Sequence, residues 1–261
     1  MATTIAQPPG TFCWPELCSG SAQDSKRFYS SLLGWKSNDM HMPEGDYTIF
    51  KLGDESVGAM YQMKEERKKA GVVPHWNSYV AVSNADETAK KAASLGGKVL
   101  MEPVEADGNR MANLQDPTGA NFSIWQATKP SEAMRLNEVG ALCWTELYTR
   151  DPEKASAFYS ALFGWRPKPW DGGPMPYTMF SIPGQEREAG GMLTMPAEMP
   201  GQAHWLPYFH VKDADKSAKQ VQDLGGRVTH SAMDISTIGR IVMVADSQGA
   251  EFAMIKPTST A

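Results

Sequence analysis

FYSSLLGW at Phe28–Trp35 returns as FYSALFGW at Phe158–Trp165. Three more stretches return in the same order. YTIF at Tyr47–Phe50 becomes YTMF at Tyr177–Phe180, and HWNSYVAV at His75–Val82 becomes HWLPYFHV at His204–Val211. DPTGANF at Asp116–Phe122 becomes DSQGAEF at Asp246–Phe252. A repeat that keeps its spacing over nearly the whole chain constrains the fold more than any single motif, because one structural unit must satisfy both copies. The chain therefore reads as two copies of one domain. The first patterned strand of each copy also matches: FCWPEL at Phe12–Leu17 and LCWTEL at Leu142–Leu147.

Each copy repeats within itself more weakly. Leu32 and Gly34 correspond to Leu95 and Gly97, and Leu162 and Gly164 to Leu224 and Gly226. The shared grammar is a strand, a helix ending in Leu-x-Gly or Leu-Gly-Gly, then further strands. Asp151 before Pro152 predicts a helix N-cap with Pro in the first turn. Asn84 with Glu87 three residues on resembles a capping box. Gly34, Gly97, Gly164 and Gly226 are expected to take the left-handed helix end. The flanking segments are rich in Val, Ile, Tyr, Phe and Trp and are punctuated by Asp-Pro-Thr-Gly and Pro-Gly turns. Four βαβββ units follow.

Composition excludes some classes of partner. The net charge of −5 offers no basic field for a phosphate backbone, so no nucleic acid is expected. KEERKK at Lys64–Lys69 mixes both signs and reads as a solvated face. Cys13, Cys18 and Cys143 make no disulfide framework and read as small buried hydrophobes. No apolar run is long enough for a membrane span and no leader pattern opens the chain, so a cytoplasmic location is expected.

The helix ends FYSSLLGW and FYSALFGW, the Leu-Gly-Gly turns and the DPTGANF and DSQGAEF turns resemble the vicinal oxygen chelate superfamily. That superfamily includes glyoxalase I, the bleomycin-resistance and fosfomycin-resistance proteins and the extradiol dioxygenases. The resemblance implies an α+β fold of two tandem glyoxalase-like domains, 11–127 and 139–257, joined by a linker at 128–138. In each, two βαβββ units would pair into a curved sheet around a cleft. The tandem FCWPEL and LCWTEL strands look most like an actinobacterial subgroup often labelled hydroxylase or glyoxalase-like antigen.

The resemblance also says where a metal would sit. Ligands come from the first strand of a unit, fourteen residues before the Phe of the FY motif, and from the last strand. In this chain those places read Trp14, Asn77 and Ser123 in the first copy, and Trp144, Leu206 and Ala253 in the second. An indole has no lone pair to give an ion. No cofactor is therefore expected, and the dioxygenase reading suffers most. The alternative is a displaced divalent site at Glu146, His204 and His210, whose ligand types suit such an ion.

Strand alternation then names the side chains that share the face of Trp14 and Trp144. Glu16 and Cys18 follow Trp14, and Glu146 and Tyr148 follow Trp144. The second units bring His75, Asn77 and Tyr79, then His204, Tyr208 and His210. Glu16 and Glu146 are the candidate catalytic or hydrogen-bonding carboxylates, with Arg110 and Arg240 as possible partners. Trp14 and Trp144 are candidate stacking surfaces, and His75 and His204 candidate proton shuttles. Tyr47 and Tyr177 read as core or rim, Asp116 and Asp246 as turn residues.

The expectation is a protein that binds a small aromatic or hydrophobic metabolite or antibiotic, as a monomer or homodimer. The alternative is an enzyme, a lyase, isomerase or oxygenase-like catalyst using a cleft Glu. A third reading is an interaction protein with vestigial clefts.

Overall fold

The computed structural model describes residues 7–42, 45–106, 108–128, 134–173, 175–196, 198–199 and 201–258. The linker expected at 128–138 is described only in part, because residues 129–133 lie outside the described residues.

Four βαβββ units run along the chain. The first is β1 (Phe12–Ser19), α1 (Ala22–Leu33), β2 (Lys36–Met42), β3 (Gly45–Leu52) and β4 (Glu55–Gln62). A short helix, α2 (Glu65–Lys69), leads into β5 (His75–Ala81), α3 (Ala85–Ser94), β6 (Lys98–Ala106), β7 (Asn109–Gln115) and β8 (Asn121–Gln126). The third unit is β9 (Leu142–Thr149), α4 (Pro152–Phe163), β10 (Arg166–Trp170), β11 (Tyr177–Ser181) and β12 (Glu188–Thr194). The fourth is β13 (His204–His210), α5 (Ala214–Asp223), β14 (Arg227–Ile235), β15 (Gly239–Ala245) and β16 (Glu251–Pro257). The strands form two mixed eight-stranded sheets, ordered β2-β3-β4-β1-β5-β8-β7-β6 and β10-β11-β12-β9-β13-β16-β15-β14.

The helices begin and end where their caps require. Asp151 Oδ1 accepts from Lys154 N and Asn84 Oδ1 from Glu87 N, satisfying amides that have no partner within the helix. Gly34 and Gly164 close α1 and α4 in the left-handed conformation. In the two Leu-Gly-Gly turns the expectation was one residue out. Gly96 and Gly225 take the positive φ, while Gly97 and Gly226 answer a different need. A Cβ on Gly226 would lie 2.5 Å from the Ala245 carbonyl, and one on Gly97 would lie 2.9 Å from that of Gln115. The first glycine supplies the turn and the second lets the chain pass close to a neighbouring strand.

The described residues divide into two compact units. Unit 1 holds those of 1–13, 78–133 and 145–206; unit 2 holds those of 14–77, 134–144 and 207–261. Each unit thus combines one βαβββ unit from each copy. The core of unit 1 is built on Phe122, Phe158, Tyr159, Trp165, Phe180 and Trp205, and that of unit 2 on Phe28, Tyr29, Trp35, Phe50, Phe209 and Phe252. Their aromatic rings meet in stacked, tilted and edge-on pairs, such as Tyr29 stacked on Trp35 at 5.6 Å and 20° and Trp35 against Phe209 at 5.4 Å and 78°.

Buried aromatics with polar atoms need partners, and the sequence supplies the same partners twice. In unit 2, Trp76 Nε1 donates to Tyr29 Oη at 3.1 Å, and Tyr29 Oη donates to Asp246 Oδ2 at 2.9 Å. Asp246 Oδ1 accepts from Gln248 N and Ala250 N. In unit 1, Trp205, Tyr159 and Asp116 repeat the chain at 2.8 and 2.9 Å. Asp116 and Asp246 are the turn residues expected, and each also anchors a tyrosine from the FY motif. Burial pushes both tyrosines well above the ordinary phenol range, with the neighbouring aspartate adding to it.

Candidate functional site

The face named by strand alternation exists in unit 2, and it is more connected than the sequence suggested. β1 pairs in parallel with β4, placing Glu16 beside Ala59 and Cys18 beside Tyr61. β3 pairs antiparallel with β4, placing Tyr47 beside Tyr61. Directly paired residues share a face, so Cys18, Tyr61 and Tyr47 form a row, with Glu16 two residues along β1 from Cys18. Leu17, between them, points into the unit 2 core.

Glu16 is 7% exposed. Its Oε1 accepts from Tyr47 Oη at 2.7 Å. Burial, and then the Glu16 charge, hold the Tyr47 phenol well above its usual range, so it serves the carboxylate as a neutral donor. Tyr61 Oη accepts from Arg67 Nη1 at 2.9 Å. Burial raises the Tyr61 phenol and the Cys18 thiol, and pushes the Cys13 thiol to about 12. None of these groups is set up as a thiolate nucleophile.

His75 opens β5 on the same side of its strand as Asn77 and Tyr79, while Trp76 enters the core. Its Nδ1 bonds the Val73 carbonyl at 2.7 Å. A carbonyl only accepts, so Nδ1 carries the proton and Nε2 keeps its lone pair. Burial lowers the His75 pKa and the Arg67 charge lowers it further.

Unit 1 carries the second copy with different neighbours. Glu146, 6% exposed, pairs with Gly191. A Cβ on Gly191 would lie 1.8 Å from Tyr177 Oη, so the Tyr177 hydroxyl sits directly over that glycine. Tyr148 and Tyr177 both pair with Leu193, which stands where the first copy has Tyr61. The His204 ring stacks on Tyr148 at 5.1 Å and 4°, and its Nδ1 bonds the Gln202 carbonyl at 2.8 Å. Arg150 donates to the Gly201 carbonyl at 2.9 Å and to that of Met199.

The remaining candidates are placed as follows. Trp14 and Trp144 are half-buried. Tyr79 is buried edge-on to Trp125, and Tyr208 is buried beside Ala253. His210 ends β13, where its backbone exchanges bonds with Gly140 and Ala141. Arg110 and Arg240 do not serve the two glutamates. Arg110 pairs with Asp86 at 2.7 Å, and Arg240 pairs with Asp215 and Asp234. One donor to Glu16 is Tyr47, which reads from the sequence as core or rim. Tyr47 was findable, since YTIF and YTMF repeat and alternation puts Tyr on the Glu face. Arg67 had no such signal, because it lies in KEERKK, which reads as a solvated face, and the matching segment of the other copy carries no Lys or Arg.

The residues at the family's ligand positions do not fit a divalent ion. Trp14 and Trp144 offer only a donor N–H, and Leu206 and Ala253 offer no ligand atom. Ser123 is buried and its hydroxyl bonds Asn113 Oδ1 at 2.6 Å. Among the described residues, no three His, Cys, Asp or Glu side chains come together as a metal set.

Comparison with known proteins agrees with the fold. Residues 12–124 match the profile of the Glyoxalase/Bleomycin resistance protein/Dioxygenase superfamily, and residues 144–255 match the Glyoxalase-like domain. CFP32 of Mycobacterium tuberculosis, a candidate glyoxylase by its name, is 36% identical over 253 residues, covering 95% of each chain. The chain belongs to this superfamily, as two tandem glyoxalase-like domains. The anthracycline biosynthesis protein DauV of a Streptomyces species is 28% identical over 260 residues, covering 95% of this chain and 94% of the other. Among solved structures, the Mn(II)-bound glyoxalase from Novosphingobium aromaticivorans superposes with a TM-score of 0.65 at 12% identity, covering 95% of this chain and 82% of the other. The 2,3-dioxygenase LapB from Pseudomonas sp. KL28 gives 0.63 at 12% identity, covering 100% and 96%. Among the described residues, no helix is long and apolar enough to cross a membrane.

Proposed function

We propose that this chain binds a small, planar, hydroxylated aromatic metabolite through Glu16 and Trp14. The observation that carries this reading is the buried Glu16 carboxylate, held by Tyr47 at 2.7 Å beside a half-buried indole. A carboxylate has several acceptor sites, and a ligand hydroxyl or ammonium is a donor such a group receives. The indole supplies a stacking face for the ring. The relatives named for anthracycline biosynthesis support the choice of ligand, since anthracycline skeletons are planar hydroxylated polycycles. Residues at the ligand positions that cannot hold a metal support binding over family-type metal catalysis.

The test is a thermal-shift and fluorescence titration with hydroxylated naphthalenes and anthraquinones. Binding to the native state must raise the melting temperature. Glu16→Gln keeps the shape and removes the charge. It is expected to weaken binding by about 5- to 30-fold, the difference between a charge-assisted and a neutral hydrogen bond. Stability should change by less than about 1 kcal/mol, because relief of a buried charge offsets a weaker bond to Tyr47. A variant that loses stability but binds as before would refute the functional reading of Glu16.

A second reading, proton-transfer catalysis, rests on one observation. His75 is held neutral with Nε2 bare, the state a general base needs. Turnover of a hemithioacetal of methylglyoxal, lost in His75→Gln, would support it; no turnover with any carbonyl substrate that binds would remove it.

A further inference from the structure

Arg67 differs from the other arginines whose contacts are described. Arg110, Arg135 and Arg240 each spend the guanidinium on carboxylates, and Arg150 spends it on carbonyls. Arg67 gives one bond, to Tyr61 Oη at 2.9 Å. Among the described residues, no carboxylate lies within ion-pair distance of it. A guanidinium has five N–H donors in a rigid fork, and a carboxylate is a partner that fork matches. Tyr61 fixes that fork on the polar row containing Cys18 and Tyr47, the second of which holds Glu16. Its charge is felt at His75, whose pKa it lowers.

The second copy lacks the device. The segment MPAEMPGQA at Met195–Ala203 has no Lys or Arg, and Leu193 replaces Tyr61. A feature present in one copy of a duplicated protein is not required by the shared fold.

We propose that the Glu16 site takes a ligand bearing an anionic oxygen as well as a hydroxyl, and that Arg67 reads the anion. This rests on the aromatic-binding reading above. The ligand's hydroxyl donates to Glu16 and its carboxylate accepts from Arg67. One molecule binds per chain in this mode.

The experiment is isothermal titration of the full chain with 3-hydroxy-2-naphthoate and with its neutral methyl ester. The acid is expected to bind about three- to fivefold more tightly than the ester, the scale of a solvent-exposed ion pair, with a stoichiometry of one. Arg67→Met should abolish the preference for the acid over the ester. Arg67→Lys should retain part of the preference, and melting temperatures check that both variants fold. Equal affinities in the parent protein, or a preference that survives Arg67→Met, would overturn the proposal. If both probes bind equally and Glu16→Gln weakens both, the aromatic reading stands and the anion reading falls. If neither binds, the aromatic reading fails and this one with it.

Discussion

Replacing Tyr29 by Phe removes one oxygen atom and should cost the protein more than any exposed substitution. Tyr29 Oη is the middle of a buried chain, donating to Asp246 Oδ2 at 2.9 Å and accepting from Trp76 Nε1 at 3.1 Å. Tyr29 is 0% exposed, Trp76 6% and Asp246 2%. Losing a hydrogen bond to a charged acceptor costs about 1.5–3 kcal/mol, and leaving a buried N–H unsatisfied costs about 1–3 kcal/mol. The vacated space is one hydroxyl, too small for a bridging water. The two losses share a site and will not add fully, so the expected cost is about 3–5 kcal/mol. Equilibrium urea denaturation followed by tryptophan fluorescence measures it. Tyr159→Phe, which removes the matching link between Trp205 and Asp116 in unit 1, is an independent replicate. A double-mutant cycle of Tyr29→Phe with Asp246→Asn should give a coupling above about 1 kcal/mol. A cost below about 1 kcal/mol for both tyrosine variants would refute the argument that these relays hold the turns to the helices.

Three further outcomes are expected. Tyr29 and Tyr159 have folded pKa values raised well above 10, so the native state keeps protons that the unfolded chain releases. Stability should therefore be full below about pH 10 and fall above it, at a limiting slope of about 1.4 kcal/mol per pH unit for each tyrosine; urea midpoints measured across pH 9–11.5 would show it, and a flat profile would count against it. Gly191→Ala should cost about 1–3 kcal/mol by overpacking, because Tyr177 Oη occupies the place of the new methyl, whereas the first copy has Ala59 there. Elemental analysis of protein expressed with zinc, iron, nickel and manganese available should find no stoichiometric ion; one found would point to a displaced site.

Much of the fold was legible because duplication repeats every signal that matters. The Asp151-Pro152 cap, the Gly34 and Gly164 helix ends and the strand periodicity are local features, and local chemistry decides them. Strand alternation also put Glu16 with Trp14, and Glu146 with Trp144, on one face, since side chains alternate in any strand. The partners of those glutamates were a different matter. Arg110 and Arg240 were plausible from charge alone, but each found aspartates nearer in the fold. Tyr47 reaches Glu16 only because β3 and β4 lie in a register that turns and sheet order set together.

The sequence by itself determined four βαβββ units, the caps at Asn84, Asp151, Gly34 and Gly164, and a family whose metal positions are filled here by Trp, Asn, Ser, Leu and Ala. Those properties reside in residue type and short-range spacing. Tertiary structure decided which βαβββ unit shares a core with which, because that depends on how apolar faces far apart in the chain are buried together. It also decided that the two copies differ. In one, Tyr61 holds Arg67; in the other, Leu193 stands in its place and His204 lies flat on Tyr148.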